Sequence, residues 1–331
     1  MSAASKSGSA KPGSTKSESI RSLFEYLPES VTKAITSGYW SWFTALLAGA
    51  LLPLAFAPFN TWHPLFAYGL FFPLTVFLFQ QLHASTAKEA FFKGWLFGTG
   101  LFGVGVSWLY IAIHDFGAAH WSLAGILTGL FILLIALYYA FLALSVFKIK
   151  RYFPAFSHLF ILVYLPVFWV AFEWLRSWLL TGFPWLLMGY PMIETPLSGY
   201  APIVGIYGLS MLVILISVLM LVRIKKRYSL SAILLLFLGG VLAQQLQWSQ
   251  PMGKPLSVVL IQGNVNQSVK WDRQQLEKTK QLYVSLSKEF WHNKDIIVWP
   301  ENAIPVFYHT LENTFYHQLT LQARKTNTEL I

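Results

Sequence analysis

Residues 203–247 read IVGIYGLSMLVILISVLMLV, then RIKKRY, then SLSAILLLFLGGVLAQQLQ. Two apolar runs, 203–222 and 229–247, flank a short basic connector that carries Arg223, Lys225, Lys226 and Arg227. A membrane-spanning helix needs about 20 predominantly apolar residues, and each run supplies nearly that. Working outward toward the N-terminus, five more runs of this kind occur at about 39–57, 64–83, 91–112, 121–147 and 158–178. Pro53 interrupts the first and Pro58 ends it, which predicts a kinked or short span. The fourth is long, which predicts a tilted one. Seven such runs do not suit a soluble core, because a helix that meets water needs a polar face. The expected architecture of residues 38–248 is a polytopic α-helical membrane domain of about seven spans.

The charges predict its orientation. Lys and Arg collect in alternate connections: Lys88 and Lys93; Lys148, Lys150 and Arg151; and the 223–227 cluster. The N-terminal segment adds Lys6, Lys11, Lys16, Arg21 and Lys33. The intervening connections, 58–63, 113–120 and 179–202, hold no Lys or Arg. Fourteen against none is a positive-inside pattern. It predicts a cytoplasmic N-terminus and, after seven spans, an outer-side location for everything beyond about residue 249.

Composition narrows the class further. Of 331 residues, 55% are hydrophobic, 17% aromatic and 11% charged, against about 25% charged in an ordinary soluble domain. That excludes a typical cytosolic enzyme and a disordered chain. The formal charge of +10 is largely topology signal, so nucleic acid is not an expected partner. Cysteine is absent, so these residues offer no disulfide, thiolate ligand or cysteine nucleophile.

Residues 1–37, rich in Ser, Lys, Gly and Pro in their first half, read as a flexible polar tail with one short amphipathic helix near Ile20–Ile35. They do not resemble a cleaved signal peptide, because the first apolar run starts late and is long enough to stay as an anchor. At the other end, composition changes at Gln250-Pro251-Met252-Gly253. Pro255–Val265 reads as a buried strand. Asp272 caps a helix with Gln275 three residues on and Leu276, Tyr283, Leu286 and Phe290 on one face. Asp295–Trp299 is a second buried strand, closed by Pro300; His309–Thr326 is a second helix; Thr328–Ile331 opens a third strand. Such a β-α-β-α-β order predicts a parallel sheet that these residues alone do not complete. Residues 249–331 therefore read as the first part of an α/β domain, in a truncated sequence or one whose remainder is supplied elsewhere.

Glu301 is the first residue with chemical interest. It follows the second strand in Trp299-Pro300-Glu301-Asn302, and the carboxyl ends of parallel strands form the active crevice of α/β sheets. Beside Trp and Pro it is expected to be partly desolvated, which suits a general base. The plainer alternative is a solvated turn carboxylate. Trp271 either packs over a helix start or walls a lipid pocket. Within the fifth run Glu173 and Arg176 are spaced to pair on one helix face; intramembrane charges are functional by default, and a structural ion pair is the alternative. His114 and Asp115 fit a hydrated interfacial turn better than a catalytic pair, since no nucleophile lies near. Gly182-Phe183-Pro184-Trp185 places Phe183 and Trp185 at an interface, as an aromatic belt would. There is no phosphate-binding glycine loop and no cluster at metal spacing.

Taken in order, Leu54-Ala55-Phe56-Ala57-Pro58-Phe59, Gly105-Val106-Ser107-Trp108, His114-Asp115-Phe116-Gly117, Glu173-Trp174-Leu175-Arg176, Thr181-Gly182-Phe183-Pro184-Trp185, Gly199-Tyr200-Ala201-Pro202 with Gly205, Tyr207-Gly208, Gln262-Gly263-Asn264, Lys270-Trp271 and Trp299-Pro300-Glu301 resemble the apolipoprotein N-acyltransferase family. The resemblance implies a helical membrane domain carrying a nitrilase-like (carbon–nitrogen hydrolase) α/β domain on the periplasmic side of the bacterial inner membrane. It implies a Glu base, a Lys and a Cys nucleophile that takes an acyl chain from a phospholipid as a thioester. The α-amino group of a diacylated apolipoprotein then attacks that thioester. Carried over by position, Glu301 matches the base, Trp271 a tryptophan of the active-site region, and Phe183 and Trp185 aromatics near lipid entry. The Lys and Cys fall beyond Ile331, so the chain as written is expected to be inactive by itself. No metal or other cofactor is implied, because the acyl donor is already an ester. The competing expectations are a transporter, which the lack of paired mid-membrane helix breaks disfavours, and an inactive lipid-binding relative.

Overall fold

The structure, a computed structural model, describes residues 29–62, 65–152, 158–221 and 226–331. Most of the polar tail, including residues 20–28 of the expected amphipathic helix, and Arg223 and Lys225 lie outside the described residues. The chain divides into two compact units, the first ending at Trp248 and the second beginning at Ser249.

The first unit is helical. Its principal elements are α1 (Glu29–Thr36), α2 (Gly38–Leu51), α3 (Phe71–His83), α4 (Ala87–Gly105), α5 (Trp121–Ile135), α6 (Leu137–Tyr152), α7 (His158–Arg176), α8 (Ala201–Leu221) and α9 (Lys226–Gln244). Among the described residues five helices are long and apolar enough to cross a membrane: Gly38–Ala55, Leu65–His83, Trp121–Tyr152, Pro196–Leu221 and Arg227–Gln244. Ala87–Gly105 and Leu109–Phe116 meet the same test only together, as a pair bent by 59° that is either one broken span or a re-entrant loop. The remaining expected run, 158–178, is α7, whose first three side chains lie outside the described residues. The first run passes into a 3-10 turn at Leu52–Ala55, where Pro53 predicted a break, and two other runs carry breaks that the sequence did not signal. The third run bends at Val106–Trp108, and Gly205 leaves helical geometry inside α8 at φ 62°. Both breaks lie near a run's end rather than at its middle.

Helix α4 is the hub of this unit. Gly49 of α2 is required by its approach: a Cβ there would stand 1.9 Å from the carbonyl oxygen of Phe97. Small residues that let helix backbones meet are the usual means of packing in lipid, where apolar burial gives no drive. Around α4 the aromatics interlock. Phe77 stacks on Phe97 at 3.8 Å, and Trp169 and Tyr139 meet Phe97 edge-on at 6.2 and 5.2 Å.

Lys93, read from the sequence as a charge in a basic connection, is instead buried within α4. Its ammonium donates to Glu89 Oε1 at 2.7 Å and to the carbonyl of Thr36 at 2.8 Å. The reason is local: Thr86 caps α4 by accepting the Glu89 amide, so Lys93 falls about two turns inside the helix, where it reaches the Thr36 carbonyl at the end of α1. Gln80 completes the same corner, donating to Ile35 and Ser41 carbonyls and to Thr44 Oγ1.

The second unit is a three-stranded parallel sheet, β1 (Val258–Leu260), β2 (Ile296–Val298) and β3 (Glu329–Leu330), in the order β1-β2-β3. The register aligns Val258 with Ile296 and Glu329, and Val259 with Ile297 and Leu330. The connections run through α10 (Leu276–Ser287) and α11 (His317–Thr326). The strands are shorter than expected, because the backbone leaves the ladder at Gln262, before Gly263 and the left-handed Asn264. Asp272 does cap its helix, accepting the Gln274 amide at 2.9 Å. The buried face of α10 differs at one position: Leu286 is exposed and Ser287 is buried. With Leu276, Thr279 and Tyr283 that face follows the helical period, and Ser287 fits because it has a polar partner there. Ile297 is fully buried among Ile261, Tyr283, Trp291, Phe315 and Leu319. The alternate side chains Val258 and Leu260 point away from this core and stay exposed.

Candidate functional site

At the carboxyl end of β2 the chain turns through Pro300, Glu301 and Asn302, with Asn302 left-handed at φ 55°. Asn tolerates that region because its short polar side chain bonds locally. Trp299, just before the turn, is held from three sides. Its indole N–H donates to Ser287 Oγ at 2.9 Å, and its ring meets Tyr283 at 5.1 Å and Phe315 at 6.4 Å. Glu301 therefore leaves a rigid strand end. Its side chain is exposed, so the partial desolvation expected from its neighbours does not arise from residues 249–331. Trp271 closes the short helix Gln267–Lys270 after β1 and is also exposed. Topology puts the Trp271 and Glu301 connections at the same, carboxyl, edge of the sheet.

Phe183 and Trp185 belong to the first unit, in the connection between α7 and α8. Their rings stack at 6.1 Å. Trp185 meets Trp108 at 5.4 Å, and Phe183 meets Phe131 of α5 edge-on at 5.1 Å. Trp108 and Trp185 are about half exposed. The backbone beneath them is contorted, with Leu180, Thr181, Gly182 and Leu186 all at positive φ. At Gly182 only glycine fits, since a Cβ would lie 2.1 Å from the Ser177 carbonyl oxygen.

Glu173 and Arg176 are both buried near the end of α7. They do not form the ion pair that their spacing allows; each turns to the connection instead. Arg176 Nη1 donates to the carbonyls of Phe183, at 2.7 Å, and Trp185. Glu173 Oε1 accepts the Met188 amide and the Trp169 indole N–H, both at 2.9 Å. Sequence reasoning missed Trp169, Met188 and the Tyr207 hydroxyl, which donates to Ser177 at 2.6 Å. The only signal available was the rarity of polar groups in an apolar run. His114 and Asp115 stand 3.9 Å apart in a π turn, partly exposed, with His114 Nδ1 against the Ala119 carbonyl. That is a partly exposed turn with no nucleophile described beside it. Among the described residues no three His, Asp or Glu side chains converge as a metal site.

A family model for the apolipoprotein N-acyltransferase N-terminal domain matches residues 48–219. The chain is 42% identical over 295 residues, 87% of its length, to an apolipoprotein N-acyltransferase of Coxiella burnetii (strain RSA 493 / Nine Mile phase I). It is 36% identical over 294 residues, again 87% of its length, to one of Methylococcus capsulatus. It is 40% identical over 276 residues, 81% of its length, to one of Azotobacter vinelandii. These matches cover 58%, 56% and 52% of the respective relatives, so the chain spans a little over half of their length.

Proposed function

Because the chain belongs to the apolipoprotein N-acyltransferase family, we propose that it is part of an enzyme that N-acylates the diacylglyceryl-cysteine terminus of apolipoproteins from a membrane phospholipid. Residues 38–248 are the transmembrane domain of the bacterial inner membrane, with the 1–37 tail cytoplasmic. Residues 249–331 are the first portion of a periplasmic nitrilase-like domain. The observation that carries this reading is Glu301, at the carboxyl end of the central strand of a parallel sheet, where such folds place their chemistry.

In this reading Glu301 takes the proton of a cysteine thiol supplied by the part of the family's sequence beyond Ile331. The thiolate attacks the phospholipid ester carbonyl, and a lysine from the same part stabilises the oxyanion. The ester C–O bond breaks, the lysophospholipid oxygen receives the proton, and a thioester remains. The lipoprotein amine then attacks the thioester, yielding the amide and restoring the thiol. Splitting the transfer into two steps is the logic of covalent catalysis. Trp271 borders the reacting groups, and Phe183 and Trp185 meet the acyl chains. The exposed apolar side chains of Val258 and Leu260 support a further layer of structure on that face of the sheet, since parallel sheets are covered on both faces.

The test is Glu301→Gln in the full-length protein, assayed for acyl-enzyme with a labelled phospholipid. Loss of the thioester is expected. Acyl-enzyme formed at the normal rate would overturn the assignment.

A further inference from the structure

We propose that Glu173 and Arg176 are positioning residues that lock the 178–188 connection in one strained conformation and so hold Phe183 and Trp185 as a fixed aromatic face for acyl chains. That these rings meet acyl chains rests on the function proposed above; the lock itself stands on geometry alone.

The connection does not hold its own shape. Leu180, Thr181 and Leu186 adopt left-handed backbone at φ 53°, 73° and 56°, a region that L side chains avoid unless their surroundings impose it. What imposes it is a set of bonds from the end of α7. Arg176 takes the carbonyls of Phe183 and Trp185 with one guanidinium nitrogen. Glu173 takes the amide of Met188. The Phe183 amide returns to the Arg176 carbonyl at 2.8 Å. The bonded backbone groups thus bracket both aromatic residues, and no bond goes to their rings.

An apolar helix end would leave the part-buried carbonyls of Phe183 and Trp185 and the buried Met188 amide without partners, which is costly in an apolar surround. Two buried charged side chains satisfy them, Arg176 meeting both carbonyls through Nη1 and Glu173 the amide through Oε1. Neither charge neutralises the other directly. Arg176 Nη2 and Glu173 Oε2 have no hydrogen-bond partner. A pair kept only to stabilise α7 would be expected to face each other; this pair reaches the loop, with Glu173 Oε1 shared between the Met188 amide and the Trp169 indole N–H of α7.

Residues 1–331 hold no cysteine, so in the full-length protein, with any cysteine beyond Ile331 replaced by serine, a single introduced thiol is a clean probe. Leu180→Cys, at a side chain 87% exposed, takes a nitroxide label, and the protein is studied in phospholipid nanodiscs. A label at Leu234→Cys on α9 reports the integrity of the bundle. With Arg176→Gln the label at 180 is expected to move faster, its correlation time shortening about threefold as loop motion is released, while the label at 234 is unchanged. Arg176→Lys gives an intermediate shortening. Glu173→Gln, which keeps an oxygen for the Met188 amide, leaves the 180 label as it was, and Glu173→Ala releases it. An equally immobile label at 180 in Arg176→Gln and Glu173→Ala, with 234 unchanged, would overturn the lock. If Arg176→Gln does not fold, Arg176→Lys and Glu173→Ala decide by the same measure. A label at Trp185→Cys tests the other part separately. Greater collision with oxygen than with a water-soluble nickel chelate supports acyl-chain contact; the reverse removes that contact and leaves the lock to be judged at 180.

Discussion

The indole N–H of Trp299 donates to Ser287 Oγ at 2.9 Å, tying the end of the central strand to the last turn of α10 immediately before Glu301. Ser287 is fully buried, and its hydroxyl also donates to the Tyr283 carbonyl at 2.8 Å. Ser287→Ala leaves the Trp299 N–H without a partner, at a cost of about 1–3 kcal/mol. Ser285→Ala, which removes an exposed hydroxyl bonded to the Leu282 carbonyl, is expected to be nearly neutral. Chemical denaturation followed by tryptophan fluorescence compares the two. Equal midpoints would mean that the Trp299–Ser287 bond does not hold the strand end.

At the start of the third strand, Thr328 Oγ1 bonds to the carbonyls of Trp291 and Lys294, at 2.6 and 2.9 Å. Thr328→Val keeps the shape and removes the hydroxyl. A loss of about 1–3 kcal/mol is expected, because a buried pair of carbonyls loses its donor. Hydrogen exchange is the measure. The Ile331 amide, which bonds to the Ile297 carbonyl, exchanges faster in the variant.

Asp295 accepts the Ser257 amide at 2.6 Å and its hydroxyl at 2.7 Å, and these bonds hold its carboxyl below the usual carboxylate range. A depressed folded-state pKa adds stability above the unfolded value, about 3.9, and loses it as pH falls through the folded value. The stability gap between wild type and Asp295→Asn is therefore widest near neutrality and closes in acid. The gap is small, since Asp295 is exposed. Parallel denaturation curves across pH test it; a gap that widens in acid has the wrong sign.

Gly49 packs against the carbonyl of Phe97. Gly49→Val drives α2 and α4 apart, and loss of monodisperse protein in detergent is expected. A variant with wild-type thermal stability would show that the two helices do not meet there.

The relatives exceed the matched region, which leads to a prediction about the native molecule. Its intact mass, isolated from membranes, is expected to exceed 37.6 kDa, and under the proposed function the reading frame beyond Ile331 is expected to supply the Lys and the Cys. A mass of 37.6 kDa with a stop codon after Ile331 would favour an inactive lipid-binding protein.

Several features were legible without coordinates because their causes are local. A 20-residue apolar run declares itself whatever it packs against. The Asp272 cap needs only the amide of Gln274. The parallel order of β1, β2 and β3 follows from helices alternating with strands. Other features depend on residues far apart in the chain. The Thr36 carbonyl that receives Lys93 lies 57 residues away, so nothing beside Lys93 distinguishes it from a loop charge. Leu286 rather than Ser287 looks like the buried residue until Trp299 arrives with an N–H to satisfy.

The sequence by itself determined the apolar spans, the β-α-β-α-β order and the place of Glu301 at a strand end. Each follows from solvent, period and turn chemistry within a few residues. Tertiary structure alone decided that Lys93 is buried, that Glu301 is exposed within its unit, and that Glu173 and Arg176 serve the backbone around Phe183 and Trp185 instead of each other. A buried polar group takes whichever partner the packing brings within hydrogen-bond reach, and that distance is set by the approach of whole helices.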